Sequence, residues 1–250
     1  LNISPDHLER HKTLNNYIKA KFKLIISQNH SDKAFLNTKN KYLKKMIKMS
    51  KIKSKIINVE KKIDNKIFKK INNSYFLNDN NIENLSFIMK ISEKLQLNKN
   101  KLFKTLKKFK GLNFRQQIIY KSKYLTIIND SKATSFSSSV NLLKSLTNVY
   151  WIVGGVPKLG DKFLLPKKSY SKVRAYIFGK NKKKFIKELK NKIFFKLFSN
   201  LDRAINKIFL DIRNDKIKKH SIILFSPSAA SFDSFKNFEE RGKYFNNQIK

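Results

Sequence analysis

Past Gly111 the chain alternates between short apolar runs and longer amphipathic stretches. YLTII (124–128), VYWIV (149–153), VRAYIF (173–178), IFFKLF (193–198) and SIILF (221–225) are rich in β-branched and aromatic residues, the pattern of buried strands. Residues 136–147, 181–190 and 201–214, which lie between them, carry apolar side chains at helical spacing. Strands alternating with helices predict an α/β fold with a mainly parallel sheet covered on both faces. In such sheets ligands collect beyond the carboxyl ends of the strands, so the segment after each strand is the informative one.

The first hundred residues are less regular. Pro5 to about Lys21 has helical spacing, and KLIIS (23–27) reads as a short strand. Residues 38–75 are ambiguous, with SKIINVEKKI as a strand region within lysine-rich surface. Asn80 to Leu97 is predicted helical, with Ile82, Leu85, Ile88 and Met89 on one face. A second helix is expected within 99–112, stopped by Gly111, and a domain boundary at 108–112.

A length of 250 residues is enough for one or two domains with real cores. The absence of cysteine excludes disulfides and cysteine–zinc sites. No apolar run approaches the length of a membrane span, so no membrane insertion is expected. The opening LNISPDHLERH has neither an initiating methionine nor a signal-peptide pattern and reads as the interior of a longer protein. A formal charge of +39 suggests a basic nucleic-acid-binding protein. Lysines spread over nearly every segment, without an RNA-binding signature, fit a lysine- and asparagine-rich composition better, and no specific nucleic acid is expected.

Three strand ends carry chemistry. NDSKATS follows YLTII, GGVPKLG follows VYWIV, and SPSAASFDSFKNFEERGKYF follows SIILF. One sheet edge then gathers an acid, two lysines and several hydroxyls, which suits an anionic ligand. GVPKLGDK (155–162) is not a phosphate-binding P-loop, because Asp161 stands where lysine must follow glycine.

LNISPDHLERH, NYIKAK, NDSKAT and the SPSAASFDSFKNFEERGKYF ending resemble the Mur ligases, in the branch that adds D-glutamate. The resemblance implies the rear part of a central, ATPase-like domain over residues 1–110, followed by a Rossmann-like C-terminal domain over 111–250. It implies an ATP-dependent ligase that joins D-glutamate to UDP-N-acetylmuramoyl-L-alanine through an acyl phosphate, in peptidoglycan precursor synthesis. Magnesium, a cytoplasmic location and a monomeric full-length protein are implied with it. The N-terminal part of the family is missing, and the 250 residues alone are expected to be inactive. Another Mur-type amino-acid ligase is the alternative inside the family.

Position by position, the resemblance implies the following roles. His7 is a magnesium ligand, and Lys21 is a lysine whose carbamate holds magnesium. Asn81 and Asn84 approach ATP, although Asn78 and Asn80 replace the family's glycine and histidine. Arg115 and Lys132 approach the phosphates as catalytic cations, and Asp130 accepts from ribose hydroxyls. Phe114 takes the place of a histidine near adenine. Thr134, Lys158 and Ser231 hold D-glutamate, with Phe232 and Phe238 walling it, and Arg241 is a structural partner.

Overall fold

The computed structural model describes residues 3, 8–77, 79–215 and 219–249, and divides into two compact units, Leu1–Lys110 and Gly111–Lys250. His7 and Asn78 lie outside the described residues.

In the first unit a short helix α1 (Leu8–His11) precedes α2 (Leu14–Ile26), which starts at Thr13, whose hydroxyl accepts from the Asn16 N–H. The strand expected at 23–27 is absent, because α2 runs on to Ile26. Tyr17, Ile18, Phe22 and Ile25 share the helix's inner side, while Leu24 points outward at 71% exposure. A 3.6-residue face that buries Phe22 outweighs the β preference of two isoleucines. Strands β1 (Lys33–Leu36) and β2 (Lys55–Asn58) pair in parallel, joined by α3 (Lys41–Met49) in a βαβ unit. The β2 strand falls within the stretch expected to contain one. Next come α4 (Asn65–Ile71), α5 (Asp79–Lys94) and α6 (Lys99–Lys108), with Ile71, Phe76, Leu85 and Leu106 at their centre. The last helix is capped at Phe109, two residues before Gly111.

The second unit is a six-stranded sheet. Strands β3 (Gln117–Lys121), β4 (Leu125–Asn129), β5 (Val149–Gly154), β6 (Val173–Phe178), β7 (Phe194–Leu197) and β8 (Ser221–Phe225) lie in the order β3-β4-β8-β5-β6-β7. All neighbours are parallel except the edge pair β3–β4. The apolar runs read from the sequence are all strands; the antiparallel β3 was not anticipated. Its alternation is weak because it lies at an edge and buries little.

Side chains alternate between the two faces. Val149, Trp151 and Val153 meet Phe136, Val140 and Leu143 of α7 (Phe136–Leu143) and Phe185 and Leu189 of α8 (Lys182–Leu189). Tyr150 and Ile152 meet Leu201, Ala204, Ile205 and Ile208 of α9 (Leu201–Asn214) and Phe245 of α10 (Phe238–Ile249). Each fully buried Leu, Ile or Phe contributes about 1.5–3 kcal/mol, and both faces are filled this way. The β8 strand returns from the far edge to lie between β4 and β5. The segment after β4 then leads to α7 on one face, and the segment after β8 leads to α10 on the other. This reversal is the kind of switch point beside which such sheets bind ligands at the carboxyl rim.

Candidate active site

The segments after β4, β5 and β8 are locked together at that rim. Asp130 is a buried carboxyl group at this rim. The Gln116 N–H donates to Oδ1 at 3.1 Å, and the Ser226 hydroxyl donates to Oδ2 at 2.9 Å. Burial pushes the carboxyl up to about 7, against the opposing influence of these two bonds and the Arg115 charge. The Asp130 N–H donates to the Phe225 carbonyl at 2.7 Å, which fixes the end of β4 to the end of β8.

The β5 segment joins the other two. Val156 and Ala230 exchange backbone hydrogen bonds at 2.9 Å in both directions. This approach requires Gly155, at φ +124°, because a Cβ there would lie 2.4 Å from the Ala230 carbonyl. Asp161, the residue that spoils a P-loop, accepts from the Phe136 N–H at 2.6 Å and so serves the N-terminus of α7.

Arg241, fully buried, is the joint beneath this arrangement. Its Nε donates to the Ser131 hydroxyl at 3.1 Å. Its Nη2 donates to the Ser131 carbonyl at 2.7 Å and to the Ala229 carbonyl at 3.0 Å. Burial lowers its ordinary value to about 10, so the guanidinium stays charged at neutral pH. Arg241 Nη1 and Asp233 Oδ2 are buried without a hydrogen-bond partner. Asn129 adds a tie from β4 to α10, donating to the Gly242 carbonyl at 2.8 Å and to Asn246 at 2.7 Å.

Thr134 is four residues past Asp130 and partly exposed; Lys158 is two past Val156 and partly exposed; Ser231 adjoins Ala230 and is buried. The segments bearing all three share the carboxyl rim. Lys132 places its ammonium 4.0 Å from the Phe238 ring centre, a cation–π contact that holds the lysine at the rim. Phe232 is 75% exposed and leaves the core entirely. Arg115 is exposed, with its charge acting on Asp130. Phe114 differs from the expectation: its ring is only 7% exposed and lies against Gly242, where a Cβ would sit 2.3 Å from it. Packing against α10 takes up the ring that was expected to meet a base.

Of the residues assigned to the first unit, Lys21 is exposed on α2 with its ammonium 4.9 Å from the Tyr17 ring centre. Asn81 is buried and donates to the Tyr75 carbonyl at 2.7 Å, and Asn84 is exposed one turn later. No group of three His, Cys, Asp or Glu side chains able to hold a metal occurs among the described residues. No described helix is long and apolar enough to cross a membrane.

Ser226, Ser139 and Ser228 were not singled out from the sequence, yet all are fully buried and bonded at the centre of the rim. Ser226 and Ser228 had a faint signal, hydroxyls placed directly after a buried strand. Ser139, in a run of serines on α7, had none.

Residues 1–100 match the Mur ligase middle domain. The chain is 33% identical over 263 residues to a UDP-N-acetylmuramoylalanine–D-glutamate ligase of Rickettsia prowazekii, covering 98% of this chain and 59% of that protein. It is 31% identical over 254 residues to the ligase of the same name from Francisella tularensis subsp. novicida, covering 100% and 58%. It thus spans a little under three-fifths of the length of these relatives. Among solved structures, MurF from Acinetobacter baumannii superposes with a TM-score of 0.67 at 12% identity, covering 100% of this chain and 58% of that one. The UDP-N-acetylmuramate–alanine ligase MurC from Thermotoga maritima gives 0.52 at 15%, covering 100% and 59%.

Proposed function

Since this chain belongs to the Mur ligase family, we propose that it serves an ATP-dependent amide-bond ligase that adds D-glutamate to UDP-N-acetylmuramoyl-L-alanine in cytoplasmic peptidoglycan precursor synthesis. The observation that carries this reading is the joining of three rim segments, bearing Thr134, Lys158 and Ser231, by the Val156–Ala230 and Arg241 bonds.

D-Glutamate brings two carboxylates and one amine. The Lys158 ammonium and the Thr134 and Ser231 hydroxyls supply a cation and two neutral donors for the carboxylates, and Phe232 and Phe238 bound the space beside them. ATP, as co-substrate, supplies the phosphoryl group that turns an unreactive carboxylate into an acyl phosphate. At the nucleotide end Lys132 and Arg115 offset phosphate charge. Asp130 uses one lone pair of each oxygen internally, so each oxygen can still accept a ribose hydroxyl. By the motifs alone, His7 and a carbamate of Lys21 would hold magnesium, which would offset phosphate charge; Lys21, exposed on α2, is open to carbon dioxide.

The test is amide NMR of the chain titrated with D-glutamate and, separately, L-glutamate, in the presence of a non-hydrolysable magnesium nucleotide. We expect shifts concentrated at residues 131–134, 154–158 and 228–232, with the L-isomer weaker by roughly 10-fold or more. Equal binding of both isomers, or shifts confined to other segments, would sink the assignment.

A further inference from the structure

Ser139 belongs to none of the rim motifs, yet it lies at the centre of the rim's only fully buried hydroxyl cluster among the described residues. Its oxygen lies 2.6 Å from Ser226 Oγ and 2.6 Å from Ser228 Oγ. Ser226 in turn donates to Asp130 at 2.9 Å. Among the described residues the only competing acceptor is the Ser226 carbonyl, 3.2 Å from Ser139 and 3.4 Å from Ser228. Trp151 Nε1 already donates to that carbonyl at 2.7 Å, so the two 2.6 Å contacts are the better bonds for the serines.

Each hydroxyl has one proton. With Asp130 ionised, the Ser226 proton must point to the carboxylate, so Ser226 can only accept from Ser139, and Ser139 can then only accept from Ser228. We propose that Ser228, Ser139 and Ser226 form a one-way hydroxyl relay that ends on Asp130, and that Ser139 is the positioning residue that sets how well Asp130 accepts a ligand hydroxyl. Aligned bonds polarise one another, so the far serines strengthen the bond at the carboxylate. When Asp130 takes up a proton from solvent, its O–H donates to Ser226 and all three hydroxyls reverse. The reversal reaches Ser228, which holds a left-handed turn at φ +57° three residues before Ser231. Ser139 thereby ties α7 to the segment after β8, and Ser226 carries that tie on to Asp130 at the end of β4.

The charges around this group are few. Arg115, from the segment before β3, acts on Asp130 directly. Lys132, after β4, is held over Phe238, and Arg241, from α10, is engaged by Ser131 and Ala229.

The experiment follows the aspartate carboxyl carbons of the whole chain by ¹³C NMR from pH 4 to 9, in wild type, S139A, S139T and S226A. S226A removes the direct bond and should raise the Asp130 midpoint by about one pH unit. S139A should raise it by roughly 0.3–0.5 unit, because the ionised form loses a polarising partner, and S139T, with its hydroxyl retained, should return it towards wild type. A general loosening would not be rescued by threonine. An unmoved midpoint in folded S139A overturns the relay. Should S139A fail to fold, judged by Trp151 emission, S228A makes the same test with a smaller shift in the same direction, and no shift again overturns it. Only the purpose of the relay rests on the ligase reading. If wild type binds no magnesium nucleotide while S139A moves the midpoint, the relay stands and the nucleotide role of Asp130 falls.

Discussion

Replacing Arg241 by methionine keeps most of the side-chain volume and removes every donor from the joint beneath the rim. The Ser131 and Ala229 carbonyls and the Ser131 hydroxyl each lose a charged partner. An orphaned buried acceptor costs about 1–3 kcal/mol; the hydroxyl suffers least, because Ser131 still donates to the Phe238 carbonyl. The loss then comes to about 4–8 kcal/mol. Against it stands relief of guanidinium desolvation, roughly 3 kcal/mol from the gap between 12.5 and about 10. The main-chain carbonyls cannot be replaced along with the arginine, so the loss wins and the net destabilisation is about 3 kcal/mol. For a unit of the size of Gly111–Lys250 this lowers Tm by about 10 °C. Trp151, the single tryptophan, is fully buried in this unit and donates to Ser226 at the rim, so its emission reports this transition without signal from the first unit. R241K, which retains charge but has no fork, should fall between wild type and R241M. An R241M chain that melts at or above the wild-type temperature would mean that desolvation dominates and that Arg241 does not hold the rim together.

Gly155→Ala should lose at least about 2 kcal/mol and break the Val156–Ala230 bridge, since the new Cβ meets a carbonyl that cannot swing away; Gly160→Ala, with nothing within 4 Å, should cost only about 1 kcal/mol in the same melts. Asp130 titrates near 7 when folded against an ordinary 3.8, so its contribution to stability is full below about pH 4 and is lost as pH rises through 7. D130N should therefore gain on wild type by up to roughly 4 kcal/mol between pH 4 and 8 in urea titrations, and parallel pH profiles would contradict the burial argument. Lys158→Ala should weaken D-glutamate binding by roughly 10- to 100-fold while leaving the Trp151 melt within about 2 °C, a split readable by calorimetry and fluorescence.

Legibility followed burial. The strands of the second unit's central sheet could be read from the chain because both faces are covered, and a two-sided strand is apolar at nearly every position. The edge strand β3, wetted on much of its surface, left no such run. At 23–27 composition misled, since two adjacent isoleucines on a helix flank look like strand until Phe22 and Tyr17 are seen to share a buried face. The rim showed the same division. The segments carrying Asp130, Thr134, Lys158 and Ser231 could be picked out because each is a short polar break after a buried run, while the choice of those residues within them came from the resemblance to the Mur ligases.

What the chain alone determined was the alternation of strands and helices, the rim segments and the types of group they carry, because backbone burial demands apolar periodicity and ligand chemistry demands particular side chains. Tertiary structure decided which segments meet. The insertion of β8 between β4 and β5 brings Ser226 to Asp130 and Ala230 to Val156 across about 75–95 residues of chain. It also decided that Phe114 packs on Gly242 instead of standing free, and that Ser139 sits within hydrogen-bond reach of two other serines. Hydrogen bonds depend on distances of a few tenths of an ångström between residues far apart in the chain, and one-dimensional order does not encode those distances position by position.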